Sequence, residues 1–292
     1  MRKYNRSQTF LLALVIFVVP LIIVYITGFS ELLSYIQLLS LTDILLAVTV
    51  SNIPVLLNTY SWKKALNVID IDMDFTEVLE LNLSHLFVNN LTPIGYSGGE
   101  PTVAYFLSRR SEKSTGKILS AILAANTVNF VPIITMLAAG LIFSAPSQVA
   151  KLFFSFIGLK TMILEGFSEF SDGLNIIKKK WKSFFAPLLA VHLGILTTVF
   201  SFIIIGNGID VALNPVPLLL IIPLSRFASY FPTPGGSGVY ELSLIGLLMM
   251  FYNIGAEPAA AITIIHRAMT FYFGLFTGYI AFSREGFRQF KV

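Results

Sequence analysis

Residues 226–241 read RFASYFPTPGGSGVYE, and the rest of the chain is arranged around them. The stretch lies inside a long apolar region, yet it carries Arg226, Glu241, two prolines and the glycines Gly235, Gly236 and Gly238. Hydrocarbon accepts such a segment only where its bare backbone groups are buried in protein or line a polar cavity. A charge at that depth costs about 3 kcal/mol or more unless it is paired or watered. The expectation is one half of a polar site in the middle of a membrane. A second interrupted stretch, Asn89–Glu100 (NNLTPIGYSGGE), is expected to supply the other half.

Composition sets the solvent. Hydrophobic residues make up 55% and charged residues 12% of the chain, against about 25% charged in a soluble domain. The mean hydropathy is +0.78. Phe (26) and Tyr (11) are abundant, as lipid-facing and interfacial positions favour. There is no cysteine, which excludes disulfides, thiolate metal sites and a cysteine nucleophile. Neither a phosphate-binding P-loop nor an HExxH zinc motif occurs, so no nucleotide-driven step, cofactor or metal is expected. A nucleic-acid partner is not expected either.

The full-length apolar spans expected are Phe10–Ile26, Leu38–Leu57, Ile118–Phe143, Val149–Phe167, Phe184–Gly206 and Ala259–Phe282, each near the ~20 residues that cross a bilayer. The first follows Arg2, Lys3 and Arg6 as a signal peptide would. No small-x-small cleavage pattern follows at Thr27–Leu33, so it is read as a retained anchor. Two further regions, Thr76–Ser108 and Asn214–Tyr252, are broken near their centres by Pro and Gly. Each is too short for two crossings and a turn, and each is expected to form a re-entrant helical hairpin.

Charge fixes the expected orientation. With both termini cytoplasmic, the inner loops hold Arg2, Lys3, Arg6, Lys63, Lys64, Arg109, Arg110, Lys113, Lys117, Lys178, Lys179, Lys180, Lys182, Arg284, Arg288 and Lys291. The other basic residues, Lys151, Lys160, Arg226 and Arg267, lie within or at the edge of apolar segments. The expected outer loops Gly28–Gln37 and Asn207–Leu213 contain no Lys or Arg, as the positive-inside rule requires.

A shift of 141 residues then places Pro93 on Pro234 and Glu100 on Glu241. It also lays Ile118–Phe143 over Ala259–Arg284, although Leu38–Leu57 lands 5 residues early on Phe184–Gly206. Each half reads span, span, hairpin, span. Three crossings are an odd number, so the second copy would be inverted, with halves 1–146 and 147–292. Interrupted helices in matching positions of such a repeat point to a transporter binding site. The fold class expected is an all-α polytopic membrane protein with about six full spans and two re-entrant hairpins.

At the hairpin tips, Gly98 and Gly99 in one and Gly235, Gly236 and Gly238 in the other let the backbone turn and approach a ligand closely. Pro101 stands in the first turn of the helix that follows, where its missing N–H costs nothing. The two helix N-termini would offer free N–H groups and a favourable dipole to an anion. Glu100 and Glu241 either satisfy those donors in the empty site or are plain helix-start residues. Arg226 stands eight residues before Pro234, and Arg267 lies midway along the last span in IIHRAMT. A guanidinium binds phosphate or carboxylate in a fork; the alternative is an internal ion pair, for example Arg267 with Glu241. In the first half, Asn126 follows Glu100 by the 26 residues that separate Arg267 from Glu241, and His85 occupies the place of Arg226. Asn89, Asn126, Asn129 and His85 fit either ligand contact or helix–helix hydrogen bonding. His266, about 100° around the helix from Arg267, reads as a packing residue. Asp74 with Glu77 reads as a capping box rather than part of a metal-binding DxD.

Pro232–Glu241 through Ile265-His266-Arg267, with Asn89–Pro93 and Gly98–Glu100, resembles the signature of the flippase-like membrane region of lysylphosphatidylglycerol synthases, the UPF0104 family. The resemblance covers nearly the whole chain and implies two inverted halves and movement of lipids across the bilayer. In the two-part bacterial synthases a soluble domain makes the aminoacyl lipid and the membrane part flips it. Here the chain ends at Val292, soon after the last span, so synthase activity is not expected. The expected partner is a membrane lipid with a phospholipid or polyprenyl-phosphate headgroup, moved across a plasma membrane. Two alternatives stay open: an intramembrane lipid-modifying enzyme using Glu241, His266 and Arg267, and a membrane scaffold for a separate glycosyl- or aminoacyl-transferase.

Overall fold

The computed structural model describes residues 28–92, 98–144, 176–229 and 233–289, with isolated positions at 18, 21, 22 and 25. The expected span Val149–Phe167 and nearly all of Phe10–Ile26 lie outside the described residues, as do Pro93, Lys151, Lys160 and Glu165. Everything regular among the described residues is helical.

In chain order the helices are α1 (Phe29–Leu38), α2 (Leu41–Val68), α3 (Phe75–Leu91), α4 (Gly99–Ser108), α5 (Thr115–Ser144), α6 (Trp181–Gly208), α7 (Pro215–Ser229), α8 (Val239–Tyr252), α9 (Ala256–Arg267) and α10 (Phe273–Gln289). A π-helical turn, Ala268–Tyr272, joins α9 to α10. Among the described residues, four helical stretches are long and apolar enough to cross a membrane: Leu41–Val68, Thr115–Phe143, Trp181–Gly208 and Ala256–Gly286. Three of these contain the expected spans Ile118–Phe143, Phe184–Gly206 and Ala259–Phe282, and the first overlaps the expected Leu38–Leu57 but starts at Leu41. On α6, Leu189, Leu193, Leu196 and Phe200 are all exposed and recur at helical spacing. Such a stripe is stable only against another apolar surface, as a membrane helix requires.

The helix ends show why the chain breaks where it does. Ser40 caps α2 in a reciprocal box with Asp43, each side chain taking the other's backbone N–H at 3.0–3.1 Å. Asp74 and Glu77 do the same at the start of α3, as expected. At the far end of α2, Ile71 N–H donates to the Leu66 carbonyl and Asp70 N–H to that of Asn67. At the end of α6, Val211 donates to Gly206 and Asp210 to Asn207 in the same pattern. Both are Schellman caps. Each places an aspartate in the left-handed region, with φ 61° at Asp70 and 59° at Asp210.

Two expectations are corrected. Gly28–Gln37 is not a loop, because Phe29–Leu38 is a helix. The second span does not stop at Leu57 but continues to Val68. The polar run Asn58-Thr59-Tyr60-Ser61 looked like a membrane exit, yet Thr59 and Ser61 are fully buried. Asn82 Nδ2 donates to Thr59 Oγ1 at 3.0 Å, and Asn58 Nδ2 donates to Asn82 Oδ1 at 3.3 Å. Asn58 and Thr59 are polar because they face another helix, not because they face water. With the helix ends corrected, the starts of α2, α3, α4 and α5 precede those of α6, α7, α8 and α9 by 140, 140, 140 and 141 residues.

Among the described helices, α2 and α6 pack most extensively, and the Ser51 and Ser201 hydroxyls meet between them at 2.5 Å. Two cores flank it. One gathers Trp62, Leu81, Val103, Ile122 and Phe184, and the other Phe202, Ile205, Leu218, Leu244 and Ile262. Glycine allows close approach where helices cross. A Cβ on Gly140 would lie 2.8 Å from the Leu220 amide nitrogen, and one on Gly278 would lie 2.6 Å from the Leu83 carbonyl oxygen, the small-residue packing of membrane bundles.

Candidate functional site

Each broken segment becomes a pair of packed helices with its glycines at the joint: α3 with α4, and α7 with α8. In the second pair, Pro234–Gly236 form a single 3-10 turn, with φ 55° at Gly235 and 68° at Gly236. Gly238, at φ 93°, caps α8. A Cβ on Gly236 would lie 2.5 Å from Ser229 Cα, so the tip folds flat against the end of α7 only because no side chain intervenes.

Glu241 stands in the first turn of α8 and uses both carboxylate oxygens. Oε2 accepts the Gly238 N–H at 2.7 Å, and Oε1 accepts Arg267 Nε–H at 2.5 Å. Arg267 Nη2 donates to the Gly235 carbonyl at 3.0 Å and reaches Ser237 Oγ at 3.5 Å. Its guanidinium lies 4.7 Å from the Tyr240 ring centroid and 4.2 Å from that of Phe271, a cation–π cage. Arg267 is 7% and Glu241 3% exposed. Arg267 thus ties the last long helix to both the tip carbonyl and the helix-start carboxylate.

The first pair builds a corresponding cluster with different chemistry. Glu100, in the first turn of α4, accepts Asn126 Nδ2–H at 3.0 Å, and the same Oε1 lies 3.0 Å from His85 Nε2. Asn89 Oδ1 accepts the Gly99 N–H at 2.6 Å, which turns its amide nitrogen toward His85 Nε2 at 2.8 Å and Glu100 Oε2 at 3.4 Å. Trp62 Nε1–H donates to Asn126 Oδ1 at 3.1 Å, and its ring lies 4.8 Å from that of His85. A Cβ on Gly99 would sit 2.4 Å from the His85 carbonyl. Gly98 packs its bare Cα against Thr92.

Of the expected site residues, Glu100, His85, Asn89, Asn126 and Gly99 are brought together, with Gly98 at the same joint. Glu241, Arg267, Gly235, Gly236 and Gly238 form the second group. Arg226 joins neither: it is exposed in the last turn of α7, and no ion pair to it is formed among the described residues. Its counterpart by register, His85, is buried instead. Asn129 donates to Asn58 Oδ1 at 2.9 Å and so belongs to the helix–helix network. His266 stacks on Phe202 at 4.3 Å, with neither ring nitrogen hydrogen-bonded. Trp62, Ser237, Tyr240 and Phe271 were not legible as site residues. Aromatic side chains are frequent throughout this sequence, and nothing local sets these apart. A polar cleft lined by Tyr60, Lys64, Asp70, Lys180 and Lys182 shares no residue with either cluster. Among the described residues, no three His, Asp or Glu side chains are grouped to hold a metal ion.

The family model described as the lysylphosphatidylglycerol synthase TM region matches residues 10–278. A UPF0104 membrane protein of Methanocaldococcus jannaschii is 22% identical, with 96% of each chain covered. One of Methanothermobacter thermautotrophicus is 25% identical over 96% of this chain and 93% of its own. A third, of Pyrococcus horikoshii, is 24% identical over 54% of this chain and 47% of its own.

Proposed function

The chain belongs to the family of the lysylphosphatidylglycerol synthase transmembrane region, and from that premise we propose that it is a lipid translocase rather than an enzyme. Its substrate is an anionic or zwitterionic lipid, with a phospholipid or polyprenyl-phosphate headgroup. The observation that carries this reading is the buried Arg267, held against a glycine tip and a helix start in an otherwise apolar protein. A guanidinium so placed presents a forked donor to phosphate or carboxylate. The Glu241 carboxylate occupies the anion's position while the site is empty, and an entering headgroup displaces it from Arg267 and from the Gly238 N–H.

In this reading α3–α4 and α7–α8 are re-entrant hairpins that enter from opposite faces of the plasma membrane. They belong to inverted halves 1–146 and 147–292, with both termini cytoplasmic. The matched helix starts, 140–141 residues apart, support that arrangement. The exposed Arg226 makes first contact with the headgroup, and Arg267 receives it as the halves rock. Acyl or prenyl tails remain in the lipid throughout, so only the polar group needs a path. With no P-loop, the drive is an ion gradient or the lipid's own imbalance.

Proteoliposomes carrying a headgroup-labelled anionic lipid test the reading. Wild-type protein moves label between leaflets. Arg226→Ala slows it several-fold, and Glu241→Gln combined with Arg267→Met abolishes it. Removing both charges together keeps the buried region neutral, so loss of transport in a folded double variant separates a binding role from a structural pair. Unchanged movement in that variant refutes the mechanism.

A further inference from the structure

The two clusters differ in one respect that has a chemical consequence. Glu241 is neutralised by Arg267, a cation at every accessible pH. Glu100 occupies the corresponding helix start, but the position that matches Arg267 is Asn126, which carries no charge. Glu100 is 9% and His85 6% exposed. A buried carboxylate without a fixed cation is costly, and the partner it has is an imidazole. Any neutralising charge in this cluster is therefore a proton.

The hydrogen bonds locate it. Asn126 Oδ1 is taken by Trp62 Nε1–H, so the Asn126 amide N–H faces Glu100 Oε1. Asn89 Oδ1 is taken by the Gly99 N–H, so its amide N–H group faces His85 Nε2 and Glu100 Oε2. Between His85 Nε2 and Glu100 Oε1, 3.0 Å apart, two bare lone pairs would repel in a buried place, so a proton must lie there. Carried on Nε2 it opposes the Asn89 donor; carried on Oε1 it leaves Nε2 free to accept. His85 Nδ1 is buried with no hydrogen-bond partner, so nothing else fixes the tautomer.

The other titratable groups on the elements packed here are Asp43, Tyr60, Lys63 and Lys64 on α2, Glu77 and Glu80 on α3, Tyr105 on α4, Lys117 on α5, and Tyr279, Arg284, Glu285 and Arg288 on α10. Lys63 is engaged by Asp72 and the Met73 carbonyl, Arg284 by Glu80, and Glu285 by Arg110.

From this geometry we infer that the His85–Glu100 pair is a proton-binding site whose loading drives the lipid cycle, resting on the translocase reading above. The site takes one proton from the aqueous phase when its half faces outward. It holds the proton between Oε1 and Nε2, and releases it to the other side as the lone pair returns to the carboxylate. The second cluster, with its permanent charges, binds the headgroup; the first carries the proton.

The test has two arms. In proteoliposomes with an imposed pH gradient, wild-type lipid movement accelerates several-fold over the ungraded rate. Glu100→Gln, which keeps shape and removes the titrating oxygen, and Asn126→Arg, which supplies a fixed cation, move lipid at a rate indifferent to the gradient. Wild-type movement that ignores the gradient overturns the proton site and leaves the translocase intact. No lipid movement at all refutes the translocase, and the second arm then judges the proton site alone. In that arm, imidazole nitrogen-15 resonances of histidine-labelled protein in nanodiscs are followed between about pH 5 and pH 8. Only three histidines exist, so His85 is assigned with His192→Asn and His266→Asn. A His85 Nε2 signal typical of a shared proton, changed by Glu100→Gln, supports the site. A signal identical in both proteins overturns it.

Discussion

Arg267 Nε donates to Glu241 Oε1 at 2.5 Å across a separation of 26 residues. The same separation joins Asn126 Nδ2 to Glu100 Oε1 at 3.0 Å. Two helix starts are thus each clasped by a side chain from the long helix that follows, at equal sequence distance. One clasp is ionic and the other neutral.

The ionic clasp makes a stability prediction of its own. Arg267→Ala leaves Glu241 buried without a countercharge and is expected to cost about 3–5 kcal/mol. Glu241→Gln with Arg267→Met is expected to cost far less, because no charge is stranded. Thermal unfolding of the detergent-solubilised variants, side by side, checks the ordering.

The turn between α7 and α8 leaves no room for a side chain at Gly236. Gly236→Ala combines a φ of 68° with a Cβ 2.5 Å from Ser229 Cα. It is expected to destabilise by about 1–3 kcal/mol and to lower the yield of folded protein. Gly246, with nothing within 4 Å of a built Cβ, lies inside α8. Gly246→Ala is expected to stabilise by up to about 1 kcal/mol, and equal melting shifts at the two positions would contradict this account.

The Schellman caps can be improved. Asp210 holds φ 59°, a strain that glycine does not feel. Asp210→Gly is expected to gain about 0.5 kcal/mol or more, net of the extra freedom of the unfolded chain. Asp70→Gly should gain less, because Asp70 also pairs with Lys113 at 3.5 Å. Unfolding midpoints measured on both single variants decide the point.

At the opposite end of α10, Glu285 is fully buried and pairs with Arg110. Arg110→Ala is expected to cost about 3 kcal/mol by removing the cation that the buried Glu285 carboxylate pairs with. Arg284, whose bond to Glu80 is long at 3.4 Å and exposed, should cost under about 1 kcal/mol when replaced. Parallel unfolding curves of Arg110→Ala and Arg284→Ala would refute the distinction.

Much of this architecture was legible before any coordinates. Pro and Gly interruptions located the helix pairs, Pro101 stands in the first turn of α4, and the Asp74–Glu77 box opens α3. The 26-residue register matched Asn126 to Arg267, and an Arg267–Glu241 ion pair was one of the two readings of that arginine. What escaped has a common cause: a sequence shows polarity but not the direction in which polarity points. Asn58 and Thr59 lie past the expected end of the second span at Leu57, yet their partner Asn82 stands on another helix. Arg226 and His85 hold matching places in the register but opposite environments, one exposed and one buried. Trp62 lies beyond the point where the apolar run seemed to end.

The π-helical turn at Ala268–Tyr272 begins immediately after Arg267. Its loosened backbone frees the Met269 carbonyl, which takes Asn52 Nδ2–H at 3.0 Å. Such a turn accommodates a surplus residue, and one residue is worth about 100° of rotation in an α-helix. Closing it would swing α10 like a crank, and Gly278 would leave its seat on the Leu83 carbonyl. Leu83 and His85 share α3, so the helix that continues from Arg267 rests directly on the helix that carries His85.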